Sequence, residues 1–417
     1  MNYIKETADA RGVDQHIRLD HMVTRATWSS IDATWTVTCR VAGSLRVYTC
    51  SFLYLCSGYY SYKGGFAPEF PGLEQFSRMV VHPQQWPKDL DYTDKRVVVI
   101  ASGATAVTLI PAMAATAKHV TILQRSPSFI VSRPSHDQMA IRLRRVLPER
   151  SAYAMVRWKN IASARLSFAF CKQFPNTAAR AMKSAVARHD GRKVNLDPHF
   201  IPRYEPWDQR ICLTPDGDFF SALTSGRASI ATDEISRFTR TGISLASGSH
   251  LDADVVVTAT ALNLVAVGEI ELEVDGVRID AAQSFIYKGL MLSGVPNLAW
   301  CLGYTNVSWT MRADLSSRYV CKLLNHLDAH DVDYAVPTVE DSMVAEQSVL
   351  ALQAGYVLRA VDRLPKQGPE APWSRHQNYF ADVHAMRFGS VDDSMAFGTR
   401  DRASVSSSIP QKPSLNA

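Results

Sequence analysis

Several absences narrow the reading of this chain before any motif is considered. No stretch of its 417 residues approaches the roughly 18 consecutive apolar residues that a membrane-spanning helix needs, so no transmembrane segment is expected. The opening residues MNYIKETADARG hold no apolar signal core, and no signal peptide is expected. Seven cysteines are scattered (Cys39, Cys50, Cys56, Cys171, Cys212, Cys301, Cys321), none in a CxxC pair. Neither a zinc or other metal site nor a disulfide framework is therefore expected, and a reducing cytoplasm is the expected compartment. Net charge is only +5. Basic residues do gather between Arg142 and Lys193, but no nucleic-acid motif accompanies them, so a solvated helical surface is expected rather than a nucleic-acid partner. No internal repeat is evident, and no glycine-rich nucleotide hexad occurs before residue 95.

What is present suits an ordinary globular protein: 46% of residues are apolar and 20% charged, and the length predicts two to three domains. A polar helix over Ile4–Ala10 leads into ATWTVTCRV and LRVYTCSFLYLCSG, whose alternation predicts antiparallel hairpins. Tyr59–Leu73, rich in Gly, Pro and Tyr, reads as a linker. From Lys95 the pattern changes. RVVVIA is a short apolar run of the kind buried on both faces of a parallel sheet. SGATAVTLIPAMAATA reads as a helix with Pro111 inside it as a kink, and HVTILQ as a second buried strand. Residues 137–195 look helical and 199–222 an aromatic, proline-punctuated loop. ADVVVTATAL is again a buried strand, and a final amphipathic helix is expected near Ser317–Leu327. The tail SVSSSIPQKPSLNA is expected to be disordered.

The hexad Ala101, Ser102, Gly103, Ala104, Thr105, Ala106 lies between the first strand and the helix, where the G-x-G-x-x-G/A fingerprint of dinucleotide binding falls. Gly103 holds the second position, where the backbone approaches a pyrophosphate, and Ala106 the third, where helix and strand pack closely. The helix start offers free N–H groups and a positive dipole end. Ala101 replaces the first glycine; if that position needs a positive φ, its Cβ costs on the order of 1–3 kcal/mol. Arg125, followed by Ser126, ends the second strand where an NAD enzyme carries an acid, and an arginine there pairs with the 2′-phosphate of NADP. The competing reading is a nucleotide-free doubly wound domain with Arg125 merely solvated.

FPGLEQFSRMVVHPQQWPKDLDY, VVVIASGATAV and VTILQRSPSFI together resemble the class B flavoprotein monooxygenases, and among them the Baeyer–Villiger monooxygenases of the ethionamide-activating type. The resemblance extends through SGYY at Ser57–Tyr60, RYEPWDQR at Arg203–Arg210, DADVVVTATALN at Asp252–Asn263 and GYTNVSW at Gly303–Trp309. It implies an α/β fold in which an NADP-binding Rossmann-like domain is inserted in an FAD-binding one. The flavin part is expected to be incomplete, because the family's first βαβ unit, with its glycine-rich turn for the FAD pyrophosphate, has no counterpart before residue 95. Expected boundaries are 1–60 for the flavin-domain remnant, 61–94 for the linker, 95–255 for the NADP domain with a helical insertion, 256–330 for the return to the flavin domain, and 331–417 for a carboxy-terminal extension.

The implied activity is FAD- and NADPH-dependent insertion of one oxygen atom from dioxygen into a ketone or a sulfur compound by way of a flavin peroxide. The alternative is an inactive remnant that retains only NADP(H) binding. Cofactor contacts are expected from Ser102, Gly103, Ala104, Thr105, Arg125, Ser126, Asn306 and Trp309. Arg210 matches the family's active-site arginine, the open alternative being a surface pairing with Asp208 or Asp216. The family fingerprint F-x-G-x-x-x-H-x-x-x-W-P is represented by Phe76, His82, Trp86 and Pro87, with Arg78 in place of the glycine. His82 reads as an element of a moving linker rather than an acid or base. Ala261 replaces the glycine of the ATG-like motif at the return to the flavin domain, and each lost glycine is expected to have served a positive φ or a close backbone approach. Trp309 reads as packing before chemistry, while Tyr204 and Trp207 either line the substrate pocket or fill a core.

Overall fold

The computed structural model describes residues 2–190, 196–340, 343, 347–350, 352–374 and 377–401. The serine-rich tail lies outside the described residues. Among the described residues no helix is long and apolar enough to cross a membrane.

One half is built on a five-stranded parallel sheet in the order Ala228–Thr232, His119–Gln124, Arg96–Ile100, Val255–Thr258, Met79–Val81. The apolar runs RVVVI and VVVT sit side by side at its centre, with Val97 opposite both Val120 and Val255. Strand alternation divides these side chains between two cores. Val97 and Val99 face the Ala104–Met113 helix and the Asp218–Thr224 helix, meeting Val107, Ile110, Phe219 and Phe220. Val98 and Ile100 face Phe76, Phe238, Ile243 and Leu245, the last three from a three-stranded antiparallel sheet. Burial on both faces is why these strands read as unbroken apolar runs. Pro111 lies inside the Ala104–Met113 helix. The basic stretch forms the helices Gln138–Val146, Glu149–Gln173 and Pro175–Asp190, with Arg142, Arg144, Arg145 and Arg150 exposed.

The other half holds a five-stranded sheet in which Met22–Ser29, Thr34–Val41 and Ser44–Cys50 pair antiparallel as expected, while Glu271–Val274 joins Met22–Ser29 in parallel. Three local readings are corrected. Leu53–Leu55 does not continue the hairpin but pairs in parallel with Leu298–Trp300, far away in sequence. Tyr60–Gly65, read as linker, is a strand paired with Leu262–Leu264. Asp218–Thr224, read as loop, is a helix whose Phe219 and Phe220 are buried. The last long helix runs from Trp309 to Ala329, beginning well before Ser317.

Two chain passages join the halves, and they lie against each other. The His82 ring seats on Gly65, where a Cβ would come within 1.8 Å of it. Its Nδ1 accepts from the Gln84 N–H at 3.2 Å, which leaves Nε2 as the donor to the Ala261 carbonyl, also at 3.2 Å. Ala261 has φ 109°, a conformation that favours glycine, whereas neither Ala101 nor Arg78 has a positive φ. Each replaced glycine is expected to have served a positive φ or a close backbone approach, and of the three only Ala261 stands at a positive φ. Arg78 pairs instead with Asp254, which Arg96 also holds at 3.1 Å, and hydrogen bonding to Arg96 pulls the Asp254 carboxyl down to about 2.

The carboxy-terminal segment is fastened by a buried ion pair. Arg312 lies on the buried stripe of the Trp309–Ala329 helix with Leu315, Ser316 and Tyr319, and is 1% exposed. Its guanidinium meets Asp382 at 2.6 Å and donates to the Lys288 carbonyl, and the Tyr304 hydroxyl donates to the same carboxylate.

Two stability experiments follow. Ala261→Gly relieves the positive φ and raises the thermal midpoint by about 2 °C, from ~1 kcal/mol of relieved strain, whereas Ala101→Gly gives no gain. Equal shifts in a melting experiment would contradict the assignment of strain to Ala261. Asp382→Ala leaves Arg312 buried and uncompensated and costs about 3–5 kcal/mol, read as a fall in denaturant midpoint. Arg312→Met combined with Asp382→Leu recovers most of that loss; a double variant no better than the single would refute the charge-burial explanation.

Candidate functional site

The dinucleotide turn has the open geometry that an anion needs. Ala101 leaves the strand with its N–H on the Leu123 carbonyl at 3.0 Å. Gly103 caps the Ala104–Met113 helix in extended backbone, with no side chain bonded to the first-turn N–H groups. A Cβ on Gly103 would meet nothing within 4 Å, so the space above the turn is free for a ligand. Ala104 and Thr105 are exposed there, and Ala106, fully buried, lets helix and strand approach closely. The Ser102 hydroxyl accepts from Ser128 at 3.2 Å, across the turn from the segment that begins at Arg125. Arg125 is exposed with no ion-pair partner among the described residues, and Ser126 beside it is half-buried. Sequence reading missed the support beneath it: Gln124 donates to the His199 carbonyl and to Thr232, each at 2.9 Å. Burial lowers the pKa of the His199 imidazole, against the opposing charge of Asp197.

Of the fingerprint residues, Phe76 is buried edge-on against Phe238 and Trp86 packs edge-on against Tyr92, on opposite faces of the parallel sheet. Pro87 is exposed, and His82 occupies the junction described above.

A second constellation gathers where the two halves meet. Arg210 does not pair with Asp208, which holds Lys172 at 2.7 Å, nor with Asp216, which accepts from the Ser135 N–H at 3.0 Å. Instead its Nη2 donates to the Tyr304 carbonyl at 3.1 Å, and its Nε is buried without a hydrogen-bond partner. Burial pushes the Tyr356 hydroxyl up to about 12 and raises Tyr59 strongly, while the Arg210 charge opposes both shifts. Arg210 is thus a cation among neutral phenols. Trp309, first in its helix, covers Gly303 so closely that a Cβ there would fall 2.0 Å from the indole, and its ring centroid lies 4.9 Å from that of Tyr59. Asn306 donates to the Gln377 carbonyl at 2.8 Å, but its Oδ1 is buried with no partner. Tyr204 and Trp207 separate clearly. Tyr204 lines a cavity of about 750 Å³ with Phe129, Arg180, Lys183, Arg203 and Gln353, while Trp207, at φ 73°, packs edge-on against Phe168.

The Arg312–Asp382–Tyr304 cluster escaped sequence reading, although it underlies this site by fixing the residue whose carbonyl holds Arg210. The available signal was an arginine within the apolar stripe of an amphipathic helix, a position that demands a buried partner.

A model of the family described as flavin-binding monooxygenase-like matches residues 1–181. The FAD-containing monooxygenase EthA of Mycobacterium tuberculosis is 48% identical over 394 residues, covering 94% of this chain and 81% of the relative. The probable FAD-binding monooxygenase AlmA of Acinetobacter baylyi is 41% identical over 394 residues, covering 94% and 79%. Among solved structures, an oxidized steroid monooxygenase bound to NADP superposes with TM-score 0.70 at 21% identity, over 95% of this chain and 84% of that one. OTEMO in complex with FAD and NADP gives 0.64 at 22% identity, over 81% and 71%. The fold is that of flavin monooxygenases with two Rossmann-type domains, and these relatives place the chain in the flavin-binding monooxygenase-like family.

Proposed function

We propose that this chain is an FAD- and NADPH-dependent monooxygenase that inserts one oxygen atom from dioxygen into a ketone, in a Baeyer–Villiger reaction, or into a sulfur compound. The observation that carries the reading is Arg210: a guanidinium without a carboxylate partner, its Nε unsatisfied, held by the Tyr304 carbonyl where the two halves meet.

The residues present suit NADP(H). Ser102, Gly103, Ala104 and Thr105 offer the uncapped helix start and open backbone for the pyrophosphate, and Arg125 with Ser126 offers charge and hydrogen bonds to the 2′-phosphate. On the flavin side, the unpartnered Oδ1 of Asn306, the start of the Trp309–Ala329 helix with no side-chain cap, and the Trp309 indole suit the ring end of FAD. A second glycine-rich turn for the FAD pyrophosphate has no counterpart among the described residues, and no residue is assigned to that part. When bound, the nicotinamide supplies reducing equivalents and the flavin supplies dioxygen activation.

The protein's own contribution is electrostatic. Arg210, with its Nε unsatisfied among phenols raised by burial, is placed to stabilise negative charge that develops on oxygen, and a preorganised guanidinium suits that task. His82 orients no proton in this account: both its nitrogens are used to hold the crossing strands together. The cavity lined by Tyr204 abuts the Arg203–Arg210 segment and provides room for a small organic substrate.

Two variants test these roles. Arg125→Ala weakens NADPH binding by about 10–100-fold, the worth of a charge-assisted pair, and leaves NADH within about twofold. Titration by fluorescence checks this, and equal weakening of both nucleotides would remove Arg125 from the 2′-phosphate. Arg210→Ala in the flavin-loaded protein lowers product formation by about 10²–10³-fold while NADPH binding is unchanged, with Arg210→Lys between the two. Purified chain that takes up NADPH but no FAD would replace the enzyme reading with a module that only holds NADP(H).

A further inference from the structure

Two cysteines far apart in sequence lie opposite each other in the parallel pair of Leu53–Leu55 and Leu298–Trp300. The register is Leu53 with Leu298, Tyr54 with Ala299 and Leu55 with Trp300. The Cys301 N–H continues the ladder onto the Leu55 carbonyl at 2.8 Å, so the next residues in register are Cys56 and Cys301. Strand alternation puts Leu55 and Trp300 into the core and turns Tyr54, Cys56 and Cys301 to the other face, where the Tyr54 hydroxyl lies 3.2 Å from Ser317 on the covering helix. Cys56 and Cys301 therefore stand side by side across the strand pair, near enough that Cys301 raises the thiol of Cys56 and the hydroxyl of Tyr54. Cys56 is exposed and Cys301 half-buried. Neighbouring strands run about 4.8 Å apart, inside the window of roughly 4.4–6.8 Å between Cα atoms that a disulfide spans.

We propose that Cys56 and Cys301 form a peroxide-responsive dithiol that closes to a disulfide across the strand pair. The co-reactant is hydrogen peroxide. The exposed Cys56 sulfur attacks a peroxide oxygen, the O–O bond breaks, and Cys56 becomes a sulfenic acid as the first water leaves. The Cys301 sulfur then displaces the hydroxyl, which departs as the second water. Two thiols lose two protons and two electrons, and one peroxide is reduced to two waters. A thiol reacts through its thiolate, and the neighbouring Cys301 together with burial holds the Cys56 thiol well up. Closure is accordingly slow near neutrality and accelerates as pH rises. In a reducing compartment the pair rests open, as redox-sensing thiols do.

The bond would sit at the base of the junction constellation. Cys56 leads through Ser57 and Gly58 to Tyr59, which packs on Trp309; Cys301 leads through Leu302 to Gly303, which Trp309 covers, and to Tyr304, whose carbonyl holds Arg210. Closing it adds a covalent tie between two loops that the Trp300 indole N–H already joins at the Gly58 carbonyl, at 3.0 Å. The inference stands independently of cofactor or substrate, because its readout is the thiols themselves.

The test uses the full chain, reduced, desalted and exposed to hydrogen peroxide, then alkylated with N-ethylmaleimide and digested without reductant for mass spectrometry. The expected product is a peptide pair joined through Cys56 and Cys301, reversed by dithiothreitol and formed faster at higher pH. Cys56→Ser removes it, and Cys301→Ser does the same should the first variant fail to fold. Cys321→Ser, at an exposed cysteine elsewhere, leaves it intact. Oxidised wild-type chain melts at a higher temperature than reduced chain, and the Cys56→Ser chain shows no such difference. Full alkylation of both thiols under peroxide that oxidises Cys321 would overturn the proposal, as would over-oxidation of Cys56 to sulfinic acid without a cross-link.

Discussion

A guanidinium removed from water must be matched by a carboxylate, and in this chain that requirement organises the site from beneath. Arg312 and Asp382 come from a helix and from a segment near the end of the described residues, and neither is tolerable alone in its position. Because Asp382 also accepts from Tyr304 and Arg312 also donates to the Lys288 carbonyl, one pair ties together four stretches of chain. Tyr304 links this pair to the junction, since its carbonyl receives Arg210 from the other half of the molecule. The buried charge and the junction charge are thus held one residue apart, the first neutralised and the second left available. A carbonyl oxygen anchors Arg210 without cancelling its charge.

The three positions where family glycines are replaced behave differently for a physical reason. At Ala101 the backbone stays at negative φ, so a methyl group costs nothing in conformation. At Arg78 the side chain gains a carboxylate already held by Arg96. Only at Ala261 does the chain turn through a left-handed φ, and there its carbonyl accepts from both the Phe66 N–H and the His82 ring. Those two bonds impose the conformation on a residue that does not favour it.

Much of the fold was legible because its signals are local. RVVVIA and HVTILQ are apolar in every position, and Gly103 and Ala106 stand at fixed offsets from the first strand. The place of Arg125 was legible for the same reason, as the residue that follows the second strand. What escaped depends on pairings across long separations. Leu53–Leu55 follows a hairpin in sequence, but its hydrogen bonds go to Leu298–Trp300. Tyr60–Gly65 has the glycine and tyrosine of a linker, and only Leu262–Leu264 makes it a strand. The cysteines, read by spacing, showed no pair, because Cys56 and Cys301 become neighbours through that same distant register. Asp382 carries no mark in a stretch of irregular sequence; its partner, an arginine on an apolar helix face, was the side of the pair that could have been noticed.

The crossing strands bind the two passages between the halves into a single element. Tyr60–Gly65 and Leu262–Leu264 are hydrogen-bonded to each other, with the His82 ring lying across Gly65 and bonded to Ala261. Two independent tethers would let the halves swing and twist in many directions. A paired ribbon resists bending within its own plane and yields across it. The two passages are tied to each other as one paired ribbon rather than running as separate tethers, and the His82 ring closes it at Gly65 and Ala261.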